Sequence, residues 1–213
     1  MARNSEASQA KILKTAVQVF AKKGFDGARV DEIARKAQVN KALIYYYFKS
    51  KAKILEEIFR VFHDEASDLL LEGISDQKTI DDSSEFEGFF DASLMFLEER
   101  RDILKIMLTE SLKSNDKEAP LFGFLRRVFD QDREKVVSEL KKHGMEAGED
   151  LQPFIVTEFF TNIIPIVSYI VFKDKWCRAF NIEPSTLRDL FVEAFKSTHL
   201  AYHKAAATNK ASP

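Results

Sequence analysis

RVDEIARKAQVNKALIYYYF, residues 29–48, is the stretch that decides the fold of this chain. Its first half repeats small or branched apolar residues at i, i+3, i+4 and i+7, the spacing of one buried stripe on a short helix: Val30, Ile33, Ala34 and Ala37. Residues 38–40 interrupt this spacing. Asn40 predicts the N-cap of a second helix, because its side-chain oxygen can accept a hydrogen bond from a free amide of the first turn. The second helix would bury Ile44 and Phe48, so the stretch predicts two short helices joined by a tight turn.

The outward side of the second predicted helix combines a lysine with apolar and tyrosine side chains: Lys41, Ala42, Leu43, Tyr46 and Tyr47. Tyrosine rings are flat and end in hydroxyl groups that can reach phosphate, which suits a helix lying in a DNA groove. Tyr45 is predicted to be half-buried under the helix, where it would hold the helix at its angle. The pattern indicates a helix-turn-helix with a short recognition helix.

From Lys11 to Leu55 the chain resembles the DNA-binding head of the TetR family of bacterial transcriptional regulators, most specifically in the run VNKALIYYYFKSK, residues 39–51. The resemblance implies an all-α, TetR-like fold of about nine helices, with an N-terminal three-helix head and a C-terminal helical body. Two residues depart from the family pattern. Gln38 stands where a turn glycine is usual, and a left-handed conformation there costs ~1 kcal/mol. Leu43 stands where a small or hydroxyl residue is common.

Charge is distributed unevenly along the chain. Residues 1–53 contain 12 lysine or arginine residues and 4 acidic residues, whereas residues 54–213 contain 20 and 30. The net charges are therefore +8 and −10, which agrees with −2 for the whole chain. A basic head on an acidic body predicts a polyanionic partner at one end of the protein.

The residues predicted to contact double-stranded DNA are those of the motif and its flanks: Arg29, Asn40, Lys41, Ala42, Leu43, Tyr45, Tyr46, Tyr47 and Lys51. The resemblance implies phosphate contacts for Lys41 and Lys51, which position the protein without reading sequence. Ala42 and Leu43 are predicted to read bases through apolar contacts such as those with thymine methyl groups. Because one such head buries little DNA, we expect a homodimer on a palindromic operator with half-sites ~34–36 Å apart.

Residues 1–50 are predicted to form the DNA-binding domain, residues 51–205 the effector-binding and dimerisation domain, and residues 206–213 a disordered tail. In the family the body binds a small-molecule effector between helices. The residues predicted to line that pocket are mostly aromatic: Phe89, Phe96, Met107, Glu110, Phe122, Phe129, Glu158, Phe160 and Asn162. Ordinary core packing is the alternative for each of them.

The two C-terminal helices form the dimer in the family, and seven residues there are predicted to supply its interface: Ile163, Val167, Ile170, Phe191, Phe195, His199 and Tyr202. Packing within the monomer is the alternative. His199 and His203 are also spaced i, i+4, which is compatible with a pair of metal ligands. Because no third ligand lies near them in the sequence, we expect solvent or interface positions for both and predict no metal site.

Composition and motifs exclude several other classes of protein. Cys177 is the one cysteine, so neither an internal disulfide nor a cysteine-based zinc site is expected. Residues 1–10 lack the apolar segment of a signal peptide. The apolar run Phe154–Phe172 contains Glu158 and Pro165, which predicts a buried helix in place of a membrane span. Without a glycine-rich phosphate loop, a nucleophile elbow or a zinc-protease motif, we expect a cytoplasmic protein that is not an enzyme and needs no cofactor.

The sequence therefore predicts a DNA-binding transcriptional regulator, and more specifically a ligand-responsive homodimeric repressor. A small, largely hydrophobic effector would release this repressor from its operator. The alternative is a helical scaffold or partner-binding protein, or a DNA-organising protein without a small-molecule effector. A salt-dependent shift of a palindromic promoter fragment would separate a regulator from a scaffold.

Overall fold

The structure, a computed structural model, describes five ranges of the chain: residues 2–75, 83–114, 119–131, 133–142 and 151–203. Within these ranges all regular structure is helical and no strand occurs, which confirms the predicted all-α class. They contain ten helices, close to the predicted number. The tail predicted at residues 206–213 lies outside the described ranges.

The helices are numbered here in chain order. The first four are α1 (Ala2–Gly27), α2 (Val30–Ala37), α3 (Lys41–Phe48) and α4 (Lys51–Ser75). The next four are α5 (Ser83–Glu99), α6 (Arg101–Lys113), α7 (residues 120–131) and α8 (Arg133–Lys142). The last two are α9 (residues 152–180) and α10 (residues 184–203). One wide π-helical turn interrupts each of α7, α9 and α10, at Arg127–Gln131, Phe159–Ile163 and Lys196–Leu200 respectively.

Contacts between Cα atoms divide the chain into two compact units. The first unit comprises Met1–Ser67 and Asp102–Val128, and the second comprises Asp68–Arg101 and Phe129–Pro213. The first unit thus contains the predicted head together with parts of α4, α6 and α7. The domain boundary predicted after residue 50 divides the chain by function, into DNA binding and effector binding. A division by contacts does not test it, so this boundary stays a prediction.

Helices α1, α2 and α3 pack around the apolar core of the first unit. The core residues are Ile12, Ala16, Val19, Phe20, Ala28, Ile33, Ala34, Ala37, Ile44, Phe48, Ile54, Ile58 and Ile106. The stripe predicted for α2 faces this core, with Val30 partly buried at its edge. Ile44 and Phe48 of α3 are buried as the sequence predicted. The orientation of α3 is therefore fixed by apolar side chains that leave its opposite side to solvent.

Aromatic rings and ion pairs join α5, α9 and α10 in the second unit. The ring centroids of Phe90 and Phe195 lie 5.0 Å apart, and Tyr169 stacks on Phe191 at 4.4 Å with an interplanar angle of 9°. Lys173 of α9 lies 2.9 Å from a carboxylate oxygen of Glu98 on α5. Phenylalanine side chains of α5 and α10 are therefore used in packing between helices of this unit.

Helix α9 is long and apolar enough to cross a membrane by length and composition alone. The sequence predicted that it is buried, but only 17% of its most apolar 18-residue window is buried. Five large apolar side chains along α9 are exposed: Val156, Phe160, Phe172, Trp176 and Phe180. This set is called the α9 ridge below. Because most of this window is not buried, the expectation of a buried helix was wrong.

A polar cluster lies on the other side of α9, where Glu158 is buried. Burial by itself would raise the pKa of the Glu158 carboxyl, but hydrogen bonds from His203 and Asn162 hold that pKa below its usual value. Burial lowers the pKa of His199 to about 4, so its imidazole is neutral near pH 7. The sequence expected His199 and His203 in solvent or an interface, whereas the structure places both against Glu158.

Candidate nucleic-acid interface

The turn between α2 and α3 is closed by backbone hydrogen bonds. Gln38 has φ 53° and ψ 45°, the left-handed conformation that the sequence predicted for this position. The Gln38 amide donates to the Arg35 carbonyl (3.2 Å), and the Val39 amide donates to the Ala34 carbonyl (3.0 Å). This pair of bonds is a Schellman motif, which ends α2 and turns the chain into α3. A glycine would adopt the same conformation with less strain.

Asn40 caps α3 as predicted. Its Oδ1 accepts a hydrogen bond from the Ala42 amide at 2.9 Å, and its backbone is extended at φ −71° and ψ 139°. The side chain therefore satisfies a donor that would otherwise have no partner in the first helical turn. This cap explains why an asparagine suits position 40 without any contact to DNA. The predicted DNA contact of Asn40 stays a prediction.

The exposed face of α3 consists of Ala42, Tyr45 and Tyr46, at i, i+3 and i+4, together with Lys49 at the C-cap of the helix. We call these four residues the α3 face. Tyr46 is 71% exposed and Tyr45 is 42% exposed, which is unusual for aromatic side chains without a partner. The Lys49 ammonium lies 5.9 Å from the centroid of the Tyr46 ring. A short helix with small, aromatic and cationic groups on one face can enter a major groove and contact both base edges and phosphates.

The structure corrects the predicted positions of two tyrosines. Tyr47, which was expected to point outward, is half-buried and packs on the head core. Tyr45, which was expected to be half-buried, is exposed. Leu43, predicted to contact bases, is also only partly exposed. Lys49, which the sequence did not select as a DNA-binding candidate, is exposed at the C-cap of α3 beside Tyr46.

Lys41 at the start of α3 is held by an acidic neighbour. Its Nζ lies 2.8 Å from Oδ1 of Asp31 on α2, and both side chains are well exposed. The hydrogen bond with Asp31 raises the pKa of Lys41. A phosphate contact by Lys41 therefore requires that the ammonium be shared with, or released from, Asp31.

Lys51 occupies a different environment from Lys41. Its Nζ donates hydrogen bonds to the carbonyl oxygens of Phe25 (2.7 Å), Asp26 (3.3 Å) and Ala28 (3.0 Å). The ammonium also lies 4.4 Å from the centroid of the Phe25 ring. An ammonium group has three donors, so Lys51 has a complete set of partners within the head. These bonds fix the corner that follows Gly24, where φ is 73°.

Arg29 is exposed at the N-cap of α2, where its backbone is extended at φ −116° and ψ 137°. Its carbonyl accepts from the amides of Glu32 (3.1 Å) and Ile33 (3.2 Å). The free amides of a helix N-terminus attract anions, and the cationic side chain of Arg29 stands beside them. The predicted DNA contact of Arg29 stays a prediction.

The residues predicted to line an effector pocket fall into both units. Met107, Glu110 and Phe122 belong to the first unit, and the remaining six belong to the second. Glu110 accepts from the Phe25 amide at 3.5 Å and lies 2.8 Å from the ammonium of Lys113, so it supports the α1 corner. Phe160 is 66% exposed on the α9 ridge. Phe122 is also exposed, and the other six residues are partly or fully buried: Phe89, Phe96, Met107, Phe129, Glu158 and Asn162.

The residues predicted for a dimer interface all lie in the second unit. Val167, Ile170, Phe195 and His199 are buried within the chain itself. Ile163 and Phe191 are half-buried, and Tyr202 is exposed. The apolar surface that remains available on α9 is the α9 ridge, which the sequence did not single out.

A family model described as bacterial regulatory proteins, tetR family, matches residues 12–58. The HTH-type transcriptional repressor SCO4008 from Streptomyces coelicolor is 31% identical over 119 residues, which are 56% of this chain. The match spans 57% of the length of that repressor.

Two solved structures share the fold over most of the chain. A putative TetR-family transcriptional regulator from Syntrophomonas wolfei is similar with a TM-score of 0.66 and 16% identity, covering 95% of this chain and 96% of its own. The transcriptional regulator FadR from Bacillus subtilis, crystallised in complex with stearoyl-CoA, is similar with a TM-score of 0.60 and 20% identity. That match covers 89% of this chain and 98% of FadR.

Proposed function

We propose that this chain, which belongs to the tetR family of bacterial regulatory proteins, is a cytoplasmic transcriptional repressor that binds duplex DNA through α3. The observation that carries the proposal is the α3 face, on which Tyr45 and Tyr46 are exposed beside Lys49. The tyrosines are held on a helix that is capped by Asn40 and packed on the core through Ile44 and Phe48, and exposed aromatic side chains at a fixed position are typical of a binding surface. A major groove would cover their rings and pair their hydroxyl groups.

We further propose that the repressor acts as a homodimer joined along the α9 ridge. The ridge presents Phe160, Trp176 and Phe180, all at least half exposed, with the Trp176 and Phe180 rings 4.5 Å apart. Aromatic residues are enriched in protein interfaces, and a two-fold dimer uses the same patch on both copies. Two heads on one symmetric dimer would read a palindromic operator.

The proposed signal that releases the operator is a small, largely hydrophobic effector. This part of the proposal is supported by the fold shared with FadR, whose crystal structure contains stearoyl-CoA. An effector can lower operator affinity only by as much as it prefers the released state over the DNA-bound state. Stearoyl-CoA is therefore a reasonable first probe, with shorter acyl-CoA thioesters as the next.

The first experiment measures binding of the full chain to a labelled fragment from upstream of its own gene, by fluorescence anisotropy at several salt concentrations. A repressor of this kind binds the fragment tightly and loses affinity steeply as salt rises. Tyr46→Ala should weaken specific binding by roughly tenfold or more, the scale of a lost base contact. Leu112→Ala is the matched control, because Leu112 is equally exposed but lies on α6.

Two outcomes would contradict parts of the proposal separately. Equal affinity of the wild type for the promoter fragment and for a scrambled duplex would favour a DNA-organising protein. Unchanged operator affinity in saturating acyl-CoA would remove this effector class and leave the DNA-binding proposal intact.

A further inference from the structure

The cluster of Glu158, His199 and His203 brings three potential metal ligands together from two helices. One ligand atom from each residue lies within 4.8 Å of the other two. Nε2 of His203 lies 2.9 Å from Oε1 of Glu158, and Nε2 of His199 lies 3.8 Å from Oε2. Glu158 and His199 are each only 5% exposed. All three residues belong to the second unit.

These separations suit a small divalent cation. Zinc bonds to histidine nitrogen and carboxylate oxygen are ~2.0–2.2 Å long, so two ligands of a tetrahedral site lie roughly 3.3–3.5 Å apart. The observed separation of 2.9 Å for His203 is shorter than that value, and the separation of 3.8 Å for His199 is longer. All three ligand atoms lie within 4.8 Å of one another, so binding one ion requires the side chains to close by about 1 Å. Two nitrogens and one carboxylate form a donor set found in zinc sites that keep one position for water.

Neighbouring side chains already orient the ligands. The hydroxyl of Thr161 donates to the Thr157 carbonyl at 2.8 Å, so its oxygen accepts the Nδ1–H of His199, also at 2.8 Å. The unprotonated Nε2 of His199 then faces Glu158. Asn162 donates to Oε2 of Glu158 at 2.9 Å. Metal-bound histidines and carboxylates are usually held by outer hydrogen bonds of this kind.

The backbone around the cluster is also specialised. The π-helical turn Phe159–Ile163 follows Glu158 and carries Thr161 and Asn162, while the turn Lys196–Leu200 carries His199. Single π-helical turns inside α-helices are rare and are frequent at functional sites. Two of them lie at this cluster, one starting directly after Glu158 and the other containing His199, which a plain buried ion pair does not require.

We propose that Glu158, His199 and His203 form a binding site for a divalent transition-metal ion, with zinc as the best-fitting ion and water as the fourth ligand. The site goes beyond the proposed operator binding and is independent of it. The sequence pointed away from a metal because Glu158 lies 45 residues before His203 and only the fold joins them. Bound metal would tie α9 to α10 and so stabilise the second unit.

The test uses full-length protein stripped with a chelator and titrated with Zn²⁺ by calorimetry, and with Co²⁺ by visible absorption. We expect one ion per chain, visible Co²⁺ bands of a four-coordinate site, and a rise in the melting temperature on adding Zn²⁺. Glu158→Gln and His203→Gln should each lower the affinity by more than 100-fold. Thr161→Val, which removes only an orienting hydrogen bond, should lower it ~10–100-fold.

Glu193→Gln is the matched control, because Glu193 is an exposed carboxylate on the helix that carries both histidines. It should leave Zn²⁺ affinity unchanged. Circular dichroism checks that each variant is folded. If the Glu158→Gln protein is unfolded, the affinity of the His203→Gln protein decides the test. The proposal is overturned if the wild type binds no Zn²⁺ at micromolar concentration. Equal Zn²⁺ affinity in the wild type and in folded His203→Gln protein would overturn it as well.

Discussion

The ammonium of Lys51 lies 2.7 Å from the carbonyl oxygen of Phe25 and reaches two further carbonyls of the same corner. Lys51, the first residue of α4, therefore holds the end of α1. It lies shortly after the end of α3 in the sequence. Glu110 and Lys113 of α6 reach the same corner, through the Phe25 amide and the Asp26 carboxylate. The corner that supports α2 is thus held by both α4 and α6 within the first unit.

Replacing Lys51 tests this role. Lys51→Met keeps the apolar stem but removes the charged donors, so we expect the free energy of unfolding to fall by about 1.5–3 kcal/mol. Urea denaturation followed by circular dichroism measures the loss. Lys53→Met, at an exposed position two residues later, should change stability little. An equal, small effect of both substitutions would show that the carbonyls of the corner do not need Lys51.

The two lysines should differ in the salt dependence of DNA binding. Lys41→Ala removes a cation beside the α3 face, so the slope of log affinity against log salt should fall by about one unit. Lys51→Ala should leave that slope unchanged, because its donors are used inside the head. Anisotropy titrations between low and moderate salt distinguish the two. A loss of one unit in the Lys51 variant would instead support the phosphate contact that the family resemblance implies.

Removing the acidic partner of Lys41 should have the opposite effect. Asp31→Asn frees the ammonium and deletes a negative charge near the phosphates, so affinity for all duplexes should rise roughly two- to fivefold at low salt. The gain should shrink as salt increases. Asp102→Asn, on α6, is a charge-matched control. No gain in the Asp31 variant would mean that Lys41 is not at the DNA.

Gln38 should be a site of stored backbone strain. Gln38→Gly should stabilise the head by about 0.5–1 kcal/mol, because glycine adopts a positive φ without steric cost. Asn181 provides the control, since it has φ 49° at the end of α9 and asparagine tolerates this conformation well. Asn181→Gly should therefore gain much less. Thermal melts of both variants decide the point, and a destabilised Gln38→Gly protein would contradict it.

The α9 ridge should control the oligomeric state. Trp176→Glu places a charge in the middle of the proposed apolar interface, so a dimer should dissociate to monomers at micromolar concentration. Sedimentation equilibrium measures the change. Met95→Glu alters a similarly exposed residue on α5 and should leave the dimer intact. A wild-type monomer would exclude the dimer itself, and a dimeric Trp176→Glu protein would place the interface elsewhere.

The helix-turn-helix could be predicted because its information is local. The α2 stripe, the Asn40 cap and the left-handed turn at Gln38 each depend on residues within a few positions of one another. Tyr45 and Tyr47 were assigned to the wrong sides, because a step of one residue changes the direction of a side chain by ~100°. In an eight-residue helix, that ambiguity is resolved only by packing.

The remaining features depend on residues far apart in the sequence. Lys51 binds carbonyls 23 to 26 positions earlier, and hydrogen bonds to backbone groups leave no pattern in side-chain types. The exposure of the α9 ridge could not be read from its apolar composition, because a buried helix has the same composition. Glu158 could not be assigned to a cluster with His199 and His203 for the same reason, because it lies far from both in the sequence.

The π-helical turn at Phe159–Ile163 makes α9 sensitive to the number of its residues as well as to their chemistry. Such a turn amounts to an α-helix with one residue inserted. Deleting a residue there would rotate everything on one side of the turn by ~100° relative to the other. Either Glu158 would leave the histidines, or Val167 and Ile170 would leave the core. Relatives that have both the Glu158 cluster and buried residues at the positions of Val167 and Ile170 should therefore keep the length of this segment, even where its residues vary.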